Sequence, residues 1–242
     1  MKRLFLTLTL TLASLTATSV HAQGGPPNTG INASLLRMFG DTKFFSAKGD
    51  LRMSDDNGKA ISSMPVSWAL LDGKLRADMD LSQMQGGAMP PQATAMLKQT
   101  GMDKMQLLIM PESKTTLFIY PGLEAYAPVR DNDVATAEEK VETTDVGKEE
   151  VDGHPCVKKK MSTTDAKGKV QEAFIWSATD LKNFPIKMEM KQKKNTVLIH
   201  FETPSFQKPD AKLFEVPANY TKHDSIQGLM QSAMMKMFGG AK

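Results

Sequence analysis

Gln106 to Val129 reads QLLIMPESKTTLFIYPGLEAYAPV, an apolar run, a polar turn, a second apolar run and then Tyr120-Pro121-Gly122. Two strands meeting at a tight reversal account for it. In the second run Leu117 and Ile119 alternate with Phe118 and Tyr120, so a strand here carries apolar bulk on both faces. Such a strand belongs inside a sheet, with one face on the protein's core and the other under a cover, because a wide apolar patch in water is costly.

Working outward, the neighbouring segments alternate with one wet face and one dry face. Leu75, Ala77, Met79 and Leu81 stand against Arg76, Asp78 and Asp80, and Ile186, Met188 and Met190 stand against Lys187, Glu189 and Lys191. Phe44 to Met53, Met64 to Leu71, a strand from about Val141, His154 to Thr163, Val170 to Ala178 and Thr196 to Pro204 complete the strand series, and Asp72-Gly73 and Asp152-Gly153 are two-residue hairpin signals. A polar face that persists over distant strands implies one antiparallel layer with a single buried side.

Helical periodicity falls at the ends. Asn32 to Phe39 stops at Gly40, and Asp224-Ser225-Ile226-Gln227 opens an amphipathic helix over 224–238 whose Ile226, Leu229, Met230, Ala233, Met234, Met237 and Phe238 form a stripe. Residues 82–104, rich in Met, Gln, Gly and Pro, interrupt the strands as a flap, with a short helix expected from Pro91.

The first 22 residues have the form of a secretory signal peptide: Lys2 and Arg3, an apolar run too short to span a bilayer, and small residues Val20 and Ala22 before the cut. The expected organisation is a leader over 1–22 and one domain over 23–242, exported to the periplasm without a transmembrane anchor. Removing Lys2 and Arg3 from 30 basic residues leaves 28 against 27 acidic ones, a near-neutral chain with no electrostatic footprint for nucleic acid. The single cysteine, Cys156, forms no intrachain disulfide, and a buried thiol is expected.

Chemistry-bearing motifs are sparse. The chain has no nucleophile elbow, phosphate-cradling glycine loop or HExxH pattern, and His154, His200 and His223 lie on three separate elements. No catalytic residue, metal ligand set or cofactor is assigned. His154 and Cys156 project to one side of a strand, but two ligands do not make a site. The 18 methionines suit an adaptable apolar surface; clustered thioethers also bind copper(I).

The phrases Asp72-Gly73-Lys74-Leu75-Arg76, Lys114 to Pro121, Val151-Asp152-Gly153-His154-Pro155-Cys156 and Leu213-Phe214-Glu215-Val216-Pro217 resemble the LolA superfamily of periplasmic lipoprotein carriers, and most of all its secreted relatives of unassigned function. The resemblance runs from about Phe44 to Tyr220. It implies an α+β, mostly β fold: a strongly curved antiparallel sheet, an incomplete barrel, with helices over its concave face and acyl chains held between the two.

The expected function is a non-catalytic carrier for a hydrophobic ligand, a lipid or the acyl chain of a lipoprotein. Its expected lining is Leu75, Met79, Leu117, Ile119, Trp176, Met188 and Ile199, with Leu35, Met38, Met230 and Met234 on the lid. An envelope protein-interaction or sensor module using the same groove is the alternative, and a Met-rich copper(I) chaperone comes third.

Overall fold

The computed structural model describes residues 33–87, 90–130, 140–164, 170–192 and 195–239, so the expected leader over 1–22 lies outside the described residues. Helix α1 (Ala33–Arg37) precedes β1 (Phe44–Asp55), β2 (Ala60–Leu71) and β3 (Lys74–Asp80). The flap region holds a 3-10 turn, β4 (Gln85–Gly86) and helix α2 (Pro91–Thr100), and β5 (Lys104–Met110), β6 (Thr115–Tyr120) and β7 (Ala125–Arg130) follow. Then come β8 (Lys140–Val151), β9 (His154–Thr164), β10 (Val170–Ala178), β11 (Phe184–Gln192), β12 (Asn195–Ser205), β13 (Thr221–Lys222) and helix α3 (Ile226–Gly239).

All strands join one open curved sheet in the order β13-β7-β6-β5-β3-β2-β1-β12-β11-β10-β9-β8, with β4 alongside β2. The sheet is mostly β-hairpin meander. Asp72-Gly73 and Asp152-Gly153 turn with positive φ at both residues, the pair of dihedrals a tight two-residue hairpin needs. One departure from the all-antiparallel expectation is β13, which adds to β7 in parallel because the chain reaches that edge after a long crossing.

The opening stretch contains three strands, not two. Pro111–Ser113 and Pro121–Leu123 each form a single 3-10 turn closed by a left-handed residue, Lys114 (φ 49°) and Glu124 (φ 48°). Both turns exploit the fixed φ of proline in the first position. At the second turn, the backbones of Gly101 and Gly122 touch so closely that a Cβ on either would lie about 2.5 Å from the other's carbonyl oxygen.

Cross-strand partners share a face, and the register runs Ile175, Met188, Ile199, Leu51, Met64 from β10 to β2. This inner face carries the main core. Leu35 of α1, Phe39 of the turn after it, and Ile226 and Leu229 of α3 are buried against it. At its centre Phe201 lies 5.5–6.0 Å, centroid to centroid, from Phe39, Phe45, Trp68 and Phe184, all four pairs edge-on at 61–87°. Such edge contacts add to the burial itself.

Both faces of β6 are covered, as its composition requires. Phe118 and Tyr120 enter the main core, while Leu117 and Ile119 join Ala69, Leu71, Leu108 and Phe214 in a second cluster on the outer face. The outer cover is the irregular stretch around Phe214, held by the Arg76 guanidinium donating to the Leu213 carbonyl at 2.5 Å. Neither a helix nor a ligand is needed there.

Tyr120 is 1% exposed, and its hydroxyl donates to the Met105 thioether at 3.5 Å. Burial pushes its pKa up from about 10 to about 12. The fold therefore holds the neutral phenol: the contribution is whole below pH 10 and disappears as pH rises from 10 through 12. Two pH units correspond to about 3 kcal/mol. Denaturant midpoints measured from pH 9 to 12 are expected to fall more steeply for the wild type than for Tyr120→Phe; parallel curves would contradict this.

Candidate functional site

The inner face is sealed where α1 and α3 pack on it, and open at the β8 end. The register places Met161 opposite both Thr143 and Ala173, and Lys159 opposite Ile175, so these side chains continue the inner face beyond Met188. Helix α1 is pinned by Leu35 and Phe39, which are 0% and 3% exposed. A groove of about 670 Å³ runs between α1 with its following loop and this end of the sheet. Met38, Phe39, Met161, Ile175 and Phe206 supply its apolar lining; Arg37, Lys43, Lys159 and Lys182 bring positive charge and Asp41 the one carboxylate. An apolar floor with a few polar groups is the makeup of a small-molecule site, and the volume is in the usual range.

The expected lining divides into four groups. Leu75, Met79, Met188, Ile199 and Leu35 do come together on the inner face, each at most 3% exposed, as closed core. Leu117 and Ile119 are on the opposite face, a correction whose cause is that β6 is apolar on both sides and its alternation cannot reveal which side is inner. Trp176 is buried and counts in the main core cluster, while the register sets it across from Lys158 and Lys187 on the outer side. Of the lid residues, Met38 reaches the groove, Met230 packs half-buried on the core and Met234 is 44% exposed.

Ile175, Met161, Phe206 and the basic residues escaped notice in the sequence. The alternation of Ile175 and Ser177 against Phe174 and Trp176 is legible, but the larger aromatics draw the eye to the wrong face.

That outer face has its own polar network. The indole N–H of Trp176 donates to Glu149 at 2.6 Å, while the Lys187 and Lys158 ammoniums sit 4.2 and 4.7 Å from its ring centroid. Hydrogen bonds, first from Lys158 and then from Trp176, hold the Glu149 carboxyl below its ordinary range. His200 bridges Asp50 at 3.2 Å and Asp152 of the β8–β9 turn, tying that hairpin tip to β12.

Ligand atoms of Asp50, His200 and Glu202 lie within 4.8 Å of one another. Arg52 already pairs with Asp50 at 2.5 Å and Asp152 takes the other ring nitrogen, so Asp50 and His200 are engaged in an ion-pair network and Glu202 beside them is exposed. A larger outer groove of about 960 Å³ beside it is lined by charges of both signs, among them Lys48, Asp78, Asp80 and Lys104. Met64, Val66 and Met79 also line it, beside Asp50, Asp78, Asp80 and Glu202, so its charge is mixed.

His154 pairs with Asp180 at 2.7 Å, and the Cys156 thiol, 3% exposed, donates to the His154 carbonyl at 3.4 Å. Burial pushes this thiol's pKa up, the direction of an inert cysteine. Met64, Met79, Met105, Met161 and Met188 are buried in the sheet, spread over five strands.

Together these features define a single open curved sheet whose inner face packs against α1 and α3 and borders a groove at the β8 end. The chain belongs to the family described as Domain of unknown function (DUF4412), which matches residues 47–183. It is similar to the lipoprotein LppX of Mycobacterium tuberculosis (9% identity, 73% of this chain and 96% of that one, TM-score 0.40). It is also similar to a LolA superfamily protein of Nitrosomonas europaea (10% identity, 76% and 98%, TM-score 0.33). A third is an outer membrane lipoprotein-sorting protein domain of Vibrio parahaemolyticus (11% identity, 75% and 97%, TM-score 0.28). The second of these carries the name of the LolA superfamily, which the sequence phrases resemble. No curated protein matches the sequence.

Proposed function

We propose that this chain is a non-catalytic periplasmic carrier for a hydrophobic ligand, a lipid or the acyl chain of a lipoprotein, bound between α1 and the inner face of β8 to β10. The observation that carries this reading is the groove of about 670 Å³, with Met161, Ile175 and Phe206 in its lining, at the β8 end of the inner face. Burying about eight methylenes there supplies roughly 6 kcal/mol. Export rests on the leader over 1–22, and the carrier is a single domain over 23–242. No described helix is long and apolar enough to cross a membrane.

Native mass spectrometry of the protein recovered from its own envelope tests the reading. Wild type is expected to retain an acyl lipid. Thr143→Trp, which fills the groove from an exposed strand position, and Met38→Asp, at a half-buried one, are expected to lose it while keeping the wild-type melting temperature. Lipid retained by both variants would sink the proposal, as would a wild type that neither carries lipid nor takes up a fluorescent acyl chain.

The envelope-interaction alternative is favoured by one observation. β8 is the last strand of the sheet and residues 141–150 are all exposed, an edge to which an extended partner segment adds by backbone pairing. Protection of β8 amides from hydrogen exchange by a partner, with the groove empty, would support it.

A further inference from the structure

The charge around the groove narrows the class of ligand, an inference that rests on the groove being the carrier site. The chain is nearly neutral, 28 basic against 27 acidic residues without its leader, yet among the described residues that line this groove Lys43, Lys159 and Lys182 stand with one carboxylate, Asp41. The larger outer groove, by contrast, mixes Asp50, Asp78, Asp80 and Glu202 with Lys48, Arg52 and Lys104. The two grooves differ in the sign of their charge: mixed in the outer one, mainly positive in this one.

Two of these cations are held against apolar surface. Lys182 places its ammonium 5.3 Å from the centroid of the Phe206 ring, a wall of the groove. Lys159 stands across from Ile175 on the floor. Its other cross-strand neighbour is Asp145, but among the described residues no ion pair joins the two, and the Lys159 and Lys43 ammoniums have no salt-bridge partner. A neutral lipid entering this groove would desolvate these ammoniums without replacing their water, which is costly. A carboxylate head replaces it with charge-assisted hydrogen bonds.

We propose that the groove takes an anionic single-chain amphiphile of fatty-acid type, its chain on Met161, Ile175 and Phe206 and its carboxylate at Lys159 and Lys182. The test uses delipidated full-length mature protein titrated by fluorescence with cis-parinaric acid and, separately, with its methyl ester, at pH 8 and low salt. The acid is expected to bind about tenfold tighter than the ester, the size of one charge-assisted hydrogen bond. The double variant Lys159→Glu with Lys182→Glu, both at surface-accessible positions, is expected to abolish or invert that preference. Thr143→Trp is expected to lose both ligands.

Equal affinity of acid and ester in wild type, or a preference that survives the double variant, would overturn the anionic-head assignment and leave the carrier reading standing. Failure of both ligands to bind wild type, or binding of both to Thr143→Trp, would overturn the groove and the assignment with it.

Discussion

Met188→Asp is expected to yield no cooperatively folded protein at neutral pH. Met188 is fully buried and lies between Ile175 and Ile199 in the register. A carboxylate there has no cation beside it on the inner face: its nearest positive neighbours by sequence, Lys187 and Lys191, alternate to the outer side. An unpaired buried charge costs several kcal/mol, comparable to the whole stability of a domain. Met188→Leu, which keeps the volume, is expected to cost less than about 1.5 kcal/mol.

Circular dichroism and urea titration decide it. A folded, soluble Met188→Asp would mean that the inner face admits water at its centre and that the closed core is an openable chamber. The same change therefore separates a permanent core from a ligand-lined one, and it shows why this position serves poorly as a binding test: loss of lipid from an unfolded chain says nothing of where lipid binds. Met38 and Thr143, which are not buried, are the positions that report on the groove.

Gly49→Ala is the second large effect. Gly49 lies on β1 opposite Phe201 of β12, and a Cβ built on it meets the carbonyl oxygen of His200 at 2.0 Å. That obstacle is backbone and no rotamer change relieves it. Either β1 and β12 separate or the register slips. Both moves displace Phe201 from its ring cluster and shift the Asp50–His200 contact on the other side of the sheet. We expect a loss of about 3 kcal/mol or more, read as a lowered urea midpoint.

Gly147→Ala on β8, where nothing lies within 4 Å of the added carbon, is expected to stay within about 0.5 kcal/mol of wild type. Equal behaviour of the two alanine variants would show that the close approach of β1 and β12 is not required.

Much of the architecture can be seen in the residues. Alternation in β3 and β11 names their dry sides, the Asp-Gly pairs name two hairpins, and the Ile226–Ala233 stripe names the helix that covers the sheet. The alternation is reliable there because only one face of each strand is apolar, so local sequence and burial carry the same information. β6 is the opposite case. Leu117, Phe118, Ile119 and Tyr120 are all apolar, and only the arrival of Phe214, almost a hundred residues later, decides that Leu117 and Ile119 face outward.

The groove was less visible still. Ile175 and Met161 are unremarkable core residues by composition, and their significance comes from lining the groove beside the loop after α1. Their basic neighbours look like solvated strand ends. The cations gather only because β9, the turn after β10 and the segment around α1 converge at one edge of the sheet.

The sequence by itself determined that this chain builds one sheet with a dry side, that helices at both ends are available to cover it, and that its cysteine makes no internal disulfide. These follow from side-chain alternation, helical periodicity and a count of one, all of them local. Tertiary structure alone decided which side of β6 is inner, how far the helices reach across the sheet, and that the uncovered remainder is apolar below and positive at its rim. Those properties depend on the register between strands far apart in the chain and on where a few short helices come to rest, and no window of neighbouring residues contains either.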